Sequence, residues 1–183
     1  MWCFVRESSV ERECLTLTED KRDEVKFALA SKAACIERDR YNQLPLKLDS
    51  NSKILFNIID ATKRAETTDK ILGKLKSTFK NVDVIEDVGP DGEFKAVENG
   101  NYDAIICYIC GAVGSYGTNT GRLCGPIARN MMGGWQRLGT PVVFITPNSG
   151  MYNEYVASMD ILINNNGSFL DPTLDQIMKM IMG

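Results

Sequence analysis

The sequence has no histidine among its 183 residues. This absence excludes a Ser-His-Asp triad, a Cys-His nucleophile pair and every zinc site that uses an imidazole ligand. Any catalysis would have to use carboxylates, lysine, tyrosine, serine or cysteine. We identify no pair of side chains that completes a catalytic site, and we expect neither a metal nor a cofactor.

Long apolar runs and a strong charge of one sign are also absent. No run reaches the roughly 20 residues of a membrane span, and the amino terminus becomes charged at Arg6 and Glu7, before a signal-peptide core could form. The 21 basic and 24 acidic residues give a net charge of −3, which does not favour nucleic acid as a partner. We expect a cytoplasmic protein with no nucleic-acid or membrane partner.

The six cysteines do not form a disulfide framework. Cys107 and Cys110 make a C-x-x-C motif, the spacing of some redox and metal sites, inside the apolar run 104–110. Residues three apart on a strand face opposite sides, so the two sulfurs would not converge. We therefore interpret both as small core residues.

Five short apolar runs without polar alternation are predicted to be strands covered on both faces. They span 53–60, 82–85, 104–109, 141–146 and 161–163. Helical segments lie between them, which predicts an α/β fold. We expect an open three-layer sandwich, with a mostly parallel five-stranded sheet, helices on both faces and a flavodoxin-like strand order.

The first helix is predicted to run from residue 19 to about Arg40, with Val25, Leu29, Ala33 and Ile36 on its buried face. The apolar residues within 1–18 recur with no clear helical or strand period, so this segment is interpreted as a lead-in or linker. Residues 19–183 are predicted to form a single α/β sandwich domain. Five other helices are predicted: from about Thr68, before Glu98, after Pro126, over 151–159 and after Asp171. In the last of these, Asp171 is predicted to be the N-cap and Pro172 the first helical residue.

Ligands of such sheets bind beyond the carboxyl ends of the strands, where two polar loops are expected. The loop from Gly111 to Arg122 follows the third strand, and its candidate ligand-binding residues are Thr118, Asn119 and Arg122. It lacks the G-x-x-x-x-G-K-[ST] motif of a phosphate loop. Thr118-Asn119-Thr120-Gly121 resembles part of the flavodoxin phosphate loop, but that loop follows the first strand. The third interpretation, which we favour, is a long surface loop, either without a ligand or docked on another domain.

The second loop follows the fourth strand and supplies Asn148 and Tyr152 as further candidate substrate-binding residues. An amide and a phenol can both hydrogen-bond a ligand. A turn that begins a helix explains the same residues equally well.

Several ordered segments resemble one known family. They are Ala28-Leu29-Ala30-Ser31-Lys32-Ala33-Ala34-Cys35-Ile36, Leu44-Pro45-Leu46, Lys53-Ile54-Leu55, Tyr102-Asp103-Ala104-Ile105-Ile106 and Gly139-Thr140-Pro141-Val142-Val143-Phe144-Ile145. Together they are similar to the C-terminal α/β domain of glycoside hydrolase family 3, of the bacterial β-N-acetylhexosaminidase type, over about residues 25 to 183.

The resemblance implies an accessory domain that packs on a barrel domain, in cis or in trans, and a carbohydrate ligand. In this family the barrel, absent from this chain, carries the aspartate nucleophile and, in the hexosaminidases, a histidine-containing acid/base motif. In a retaining glycosidase the carboxyl groups of the nucleophile and of the acid/base residue lie about 5 Å apart. In the β-glucosidase branch the second domain supplies the acid/base glutamate, but Glu66, Glu86 and Glu154 match no such motif. The family's Asn-Pro-Tyr loop reads Asn148-Ser149-Gly150-Met151-Tyr152 here.

The resemblance therefore predicts that the chain does not hydrolyse glycosides alone. The alternative function is that of an independent flavodoxin-like domain that binds a small anionic or nucleotide ligand.

Overall fold

The computed structural model describes residues 19–59, 66–86, 100–109, 139–147 and 160–183. In these ranges the chain forms three helices and six strands. They are α1 (Glu19–Ala30), β1 (Cys35–Asp39), β2 (Lys53–Ile59), α2 (Glu66–Thr78), β3 (Asn81–Glu86), β4 (Ala104–Ile109), β5 (Val142–Thr146), β6 (Ile161–Asn164) and α3 (Asp171–Met182).

The six strands form one sheet in the order β1-β6-β5-β4-β2-β3. Strands β2 to β6 are mutually parallel, and β1 pairs antiparallel with β6 at one edge. Counted from β2, the parallel strands lie in the order 2-1-3-4-5, which is the flavodoxin-like order. The structure therefore confirms the α/β class, the mostly parallel sheet and the predicted strand order, and it adds the edge strand β1.

Both faces of the sheet are buried, which explains why its strands read as continuous apolar runs. Phe56, Ile106 and Ile145 point to one face and are fully buried. Leu55 and Ile105 alternate with them on the other face and are fully buried as well. At about 1.5–3 kcal/mol for each large side chain removed from water, these layers supply most of the driving force for folding.

Helices α2 and α3 cover the first of these faces. Their buried side chains follow the helical period and join the same hydrophobic core as Phe56 and Ile106. On α2 they are Ile71, Leu72 and Leu75, and on α3 they are Leu174, Ile177, Met178 and Ile181. The apolar faces predicted for these two helices are confirmed.

The predicted first helix is wrong beyond Ala30, because β1 occupies Cys35–Asp39. The last turn of α1 tightens, since the backbone amides of Lys32 and Ala33 bond three residues back. The amide of Ala34 then bonds the side chain of Gln176 in α3, at 3.1 Å. A contact from the far end of the chain thus ends the helix.

The N-cap predicted for α3 is wrong by one residue. Asp171 is the first residue of α3 rather than its N-cap, a position held by Leu170 in extended conformation without a capping side-chain bond. The lead-in 1–18, the loop from Gly111 to Arg122 and the helices predicted before Glu98, after Pro126 and over 151–159 lie outside the described residues.

Candidate functional site

The carboxyl edge of the sheet is where the fold predicts a site. Strands β2 and β4 are neighbours in the sheet. After β2 the chain continues to β3 on one side of this pair, and after β4 it continues to β5 on the other side, so the carboxyl ends of β2 and β4 form the topological switch point. The strands end there at Ile59 and Ile109. Residues 111–122, which the sequence predicts to be a loop after β4, lie outside the described residues.

All five predicted substrate-binding residues lie outside the described residues: Thr118, Asn119, Arg122, Asn148 and Tyr152. Of the three glutamates considered as an acid/base group, Glu154 is also outside. Glu66 begins α2 and Glu86 ends β3, so both belong to segments at the carboxyl edge.

Asn57 is a polar residue at the switch point that the sequence interpretation missed. It lies on β2, directly opposite Cys107 of β4 in the register, and its side chain is fully buried. The amide nitrogen donates to Cys107 Sγ at 3.9 Å, while the amide oxygen has no hydrogen-bond partner. A buried acceptor without a donor costs about 1–3 kcal/mol. One polar residue within the apolar run Lys53–Ile59 was the available signal.

The carboxyl end of β6 carries a second polar cluster, which serves the fold. Asn164 donates to Glu37 Oε1 at 2.7 Å and accepts from the amide of Asn166 at 2.7 Å. Asn166, in the left-handed region at a φ of 48°, donates to the carbonyl of Ala33 at 2.7 Å. These hydrogen bonds attach β1 and the segment after α1 to the carboxyl end of β6.

The same cluster reaches α3. Asn165 donates to the carbonyl of Ser168, whose hydroxyl lies 2.6 Å from that of Thr173. Thr173 in turn donates to the carbonyl of Ala30 at 2.8 Å. Asn165 Oδ1 is buried without a hydrogen-bond partner. The other hydrogen bonds of the cluster join α1, β6 and α3 to one another, so we interpret it as a structural joint rather than a ligand site.

An exposed apolar groove lies between α1 and the segment that precedes α3. It is a cavity of about 400 Å³ lined by Val25, Leu29, Ala33 and Leu170, and we call it the α1 groove. Val25 and Leu29 are 47% and 67% exposed, although the sequence pattern predicts them to be buried. Apolar side chains that cluster in solvent are typical of a surface that packs against another polypeptide.

A charged cluster lies at the opposite, amino edge of the sheet. The hydroxyl of Tyr102 donates to Asp83 Oδ2 at 2.8 Å, and Lys53 lies over the Tyr102 ring at 4.7 Å. Partial burial, the hydrogen bond to Asp83 and the charge of that carboxylate together raise the pKa of Tyr102 to about 12. The phenol is therefore neutral at physiological pH and braces the amino ends of β2, β3 and β4.

Within the described ranges, no three histidine, cysteine, aspartate or glutamate side chains come together as a metal site would require. The helices found in the same ranges are all too short or too polar to cross a membrane.

No protein-family model and no curated protein sequence matches the chain. Solved structures do match. The chain is similar to a fungal multi-domain GH3 β-N-acetylglucosaminidase described with a GCN5-related glucosamine N-acetyltransferase region, with a TM-score of 0.64 and 17% identity, over 90% of this chain and 18% of the other.

Two further structures match to a similar extent. A β-glucosidase from Listeria innocua in complex with gluconolactone has a TM-score of 0.60 and 16% identity, over 92% of this chain and 26% of its own. The β-glucoside phosphorylase BglX bound to 2FGlc has a TM-score of 0.60 and 14% identity, over 89% of this chain and 30% of its own.

These matches share one pattern, in which nearly all of this chain corresponds to less than a third of a larger enzyme. At such identities the similarity shows the fold alone. The chain therefore has the fold of one region of a GH3 enzyme, and the sequence resemblance to that family is confirmed at the level of the fold.

Proposed function

We propose that this chain is the accessory C-terminal α/β domain of a family 3 glycoside hydrolase of the β-N-acetylhexosaminidase type. The domain packs on a barrel domain, in cis or in trans, and does not hydrolyse glycosides by itself. The observation that carries the proposal is the fold match, which spans about 90% of this chain but only 18% of a GH3 β-N-acetylglucosaminidase.

The α1 groove supports packing against a further domain. Its apolar side chains, Val25 and Leu29, are more exposed than core positions allow, and Arg22 and Lys26 flank them. An apolar centre with a charged rim is the usual anatomy of a protein interface. We propose that the groove is part of the contact with the barrel domain.

We also propose that the substrate-binding residues are those named from the sequence: Thr118, Asn119, Arg122, Asn148 and Tyr152. Their loops follow β4 and β5, whose carboxyl ends lie at or beside the switch point. Residues 19–183 would then form one domain, with 1–18 as its lead-in. Cys35 has a free thiol, which is consistent with the cytoplasmic location that we propose.

The test is an assay of the purified chain with chromogenic aryl N-acetyl-β-glucosaminide and aryl β-glucoside. We expect no turnover above the uncatalysed rate, because neither substrate would meet a nucleophile and acid pair. Turnover that disappears in Glu66→Gln, Glu86→Gln or Glu154→Gln would contradict the proposal. Release of a nucleotide or flavin on denaturation would favour the independent ligand-binding domain instead.

A further inference from the structure

A separate cavity lies at the amino edge of the sheet, on the opposite side from the switch point. It has a volume of about 340 Å³, near the lower end of the range of small-molecule sites. It lies where the chain leaves β1 and where β5 and β6 begin. Its lining includes Tyr41, Gln43, Thr140, Pro141, Phe144 and Asp160.

The turn that carries Tyr41 is held in place by hydrogen bonds to its backbone amides. The carboxylate of Asp39 accepts hydrogen bonds from the amides of Gln43 and Leu44, at 2.8 and 2.9 Å. The amide of Arg40 bonds the carbonyl of Asp160 at 2.9 Å. The turn is therefore fixed both to β1 and to the residue before β6, so a ligand would meet a formed surface and little ordering entropy would be lost.

Tyr41 presents an aromatic ring at the mouth of this cavity. The residue is 63% exposed, whereas Phe144 at the base is 1% exposed. Burying the face of an aromatic ring against a flat apolar surface is favourable in free energy, and the hydroxyl group of a tyrosine can still hydrogen-bond to water. Tyr41 is thus placed to stack on the face of a ligand ring.

The polar lining favours a neutral ligand. Asp160 brings a carboxylate, which repels anions, but Arg40 lies 3.4 Å from it and offsets its charge. The amide of Gln43 and the hydroxyl of Thr140 each provide donors and acceptors. A pyranose combines an apolar ring face with hydroxyl groups that both donate and accept, and it matches this set better than an anion or an aliphatic chain.

We propose that the cavity bounded by Tyr41, Gln43, Thr140 and Asp160 binds a neutral pyranose sugar, as a site separate from the carboxyl edge. It does not depend on the presence of a barrel domain, since every residue in the argument belongs to this chain. Stacking on Tyr41 supplies affinity, and Gln43, Thr140 and Asp160 orient the hydroxyl groups.

The experiment is a titration of the isotopically labelled chain with methyl β-glucopyranoside and with N-acetylglucosamine, followed by amide chemical shifts. We expect saturable shifts at residues 39–43, 139–142 and 160, with a dissociation constant of about 1–10 mM. Tyr41→Ala should weaken binding about tenfold, the equivalent of one aromatic stacking contact. Tyr41→Phe, which keeps the ring, should stay within about threefold of the wild type.

Phe27→Ala is the matched control, because Phe27 is also 63% exposed but does not line this cavity. Its titration should equal that of the wild type. Absence of saturable shifts with both sugars, shifts that persist unchanged in Tyr41→Ala, or stronger binding of inorganic phosphate at the same residues would each overturn the proposal. Failure here leaves the proposed accessory role intact, because that role concerns the carboxyl edge and the α1 groove.

Discussion

Two buried asparagines on one face of the sheet have opposite surroundings. Asn164 uses both ends of its amide, donating to Glu37 and accepting from Asn166. Asn57 leaves its amide oxygen without a donor. The Asn57 oxygen therefore lowers the stability of the chain, as the buried Asn165 Oδ1 of the structural joint does too. Residues at functional positions often carry such a cost in stability.

The exchange Asn57→Val should therefore stabilise the chain by about 1 kcal/mol, since it removes an unpaired buried acceptor and adds a β-branched side chain to a strand. Asn164→Val should destabilise it by about 1–3 kcal/mol, because it removes the hydrogen bonds of Asn164 to Glu37 and to the Asn166 amide. Urea unfolding measures both changes. Equal losses in the two variants would show that Asn57 is an ordinary structural residue.

Tyr102 should titrate at about 12 rather than at its ordinary 10.0. Because folding raises this pKa, the folded chain holds the proton more tightly, so its contribution to stability is complete below pH 10 and is lost as the pH rises to about 12. The phenolate absorbance of wild type minus Tyr102→Phe isolates this group.

Asp83→Asn is the companion variant for this titration. It should bring the pKa of Tyr102 only part of the way back, since burial is the largest cause of the shift and remains in place. A difference titration of the wild type centred near 10 would contradict the account.

At the scale of the elements, two glycines should respond in opposite ways to alanine. In Gly100→Ala the new Cβ would overlap the ring of Tyr102, which Asp83 and Lys53 hold in place, so we expect a loss of about 1–3 kcal/mol. Gly73 lies within α2 with open space around it, and Gly73→Ala should stabilise by about 0.5–1 kcal/mol. Thermal unfolding distinguishes the two, and a stabilised Gly100→Ala would refute the packing described.

Exchanges of leucine for alanine in α1 and in α3 should also differ sharply in their effect on the free energy of unfolding. Leu29 is 67% exposed and Leu174 is 3% exposed. In the isolated chain, Leu29→Ala should change the free energy of unfolding by less than about 0.5 kcal/mol, as for surface positions. Leu174→Ala should cost about 2–5 kcal/mol, because it opens a cavity in the core. A large loss for Leu29→Ala would mean that α1 belongs to the core and that its groove is not a docking surface.

The elements also show what the sequence could and could not reveal. The ends of the five parallel strands are predicted to within about one residue, because burial on both faces produces continuous apolar runs. Edge strand β1 was missed because Glu37, Arg38 and Asp39 give it the composition of a solvated surface. A bulge between Ile36 and Arg38 breaks its alternation as well. The bond from Ala34 to Gln176 that ends α1 has no local signal at all.

At the scale of the whole molecule, general rules of chirality and connection leave only a few topologies. The flavodoxin-like order chosen among them is the one observed, and it locates the switch point. The candidate site was less accessible to sequence reasoning. Asn57 becomes notable only when β4 is placed beside β2, and the cavity at Tyr41 joins residues from three separate parts of the chain. Such juxtapositions are products of tertiary structure, which no local pattern contains.

The central claim is that the chain works as one part of a larger glycosidase. The most direct test is to isolate the native species that contains it from its source cells and identify every polypeptide in that species by mass spectrometry. We predict a family 3 barrel, either in the same polypeptide or in a complex that Leu29→Asp disrupts and Phe27→Asp leaves intact. A native species that consists only of this chain, with no barrel sequence in it, would contradict the account.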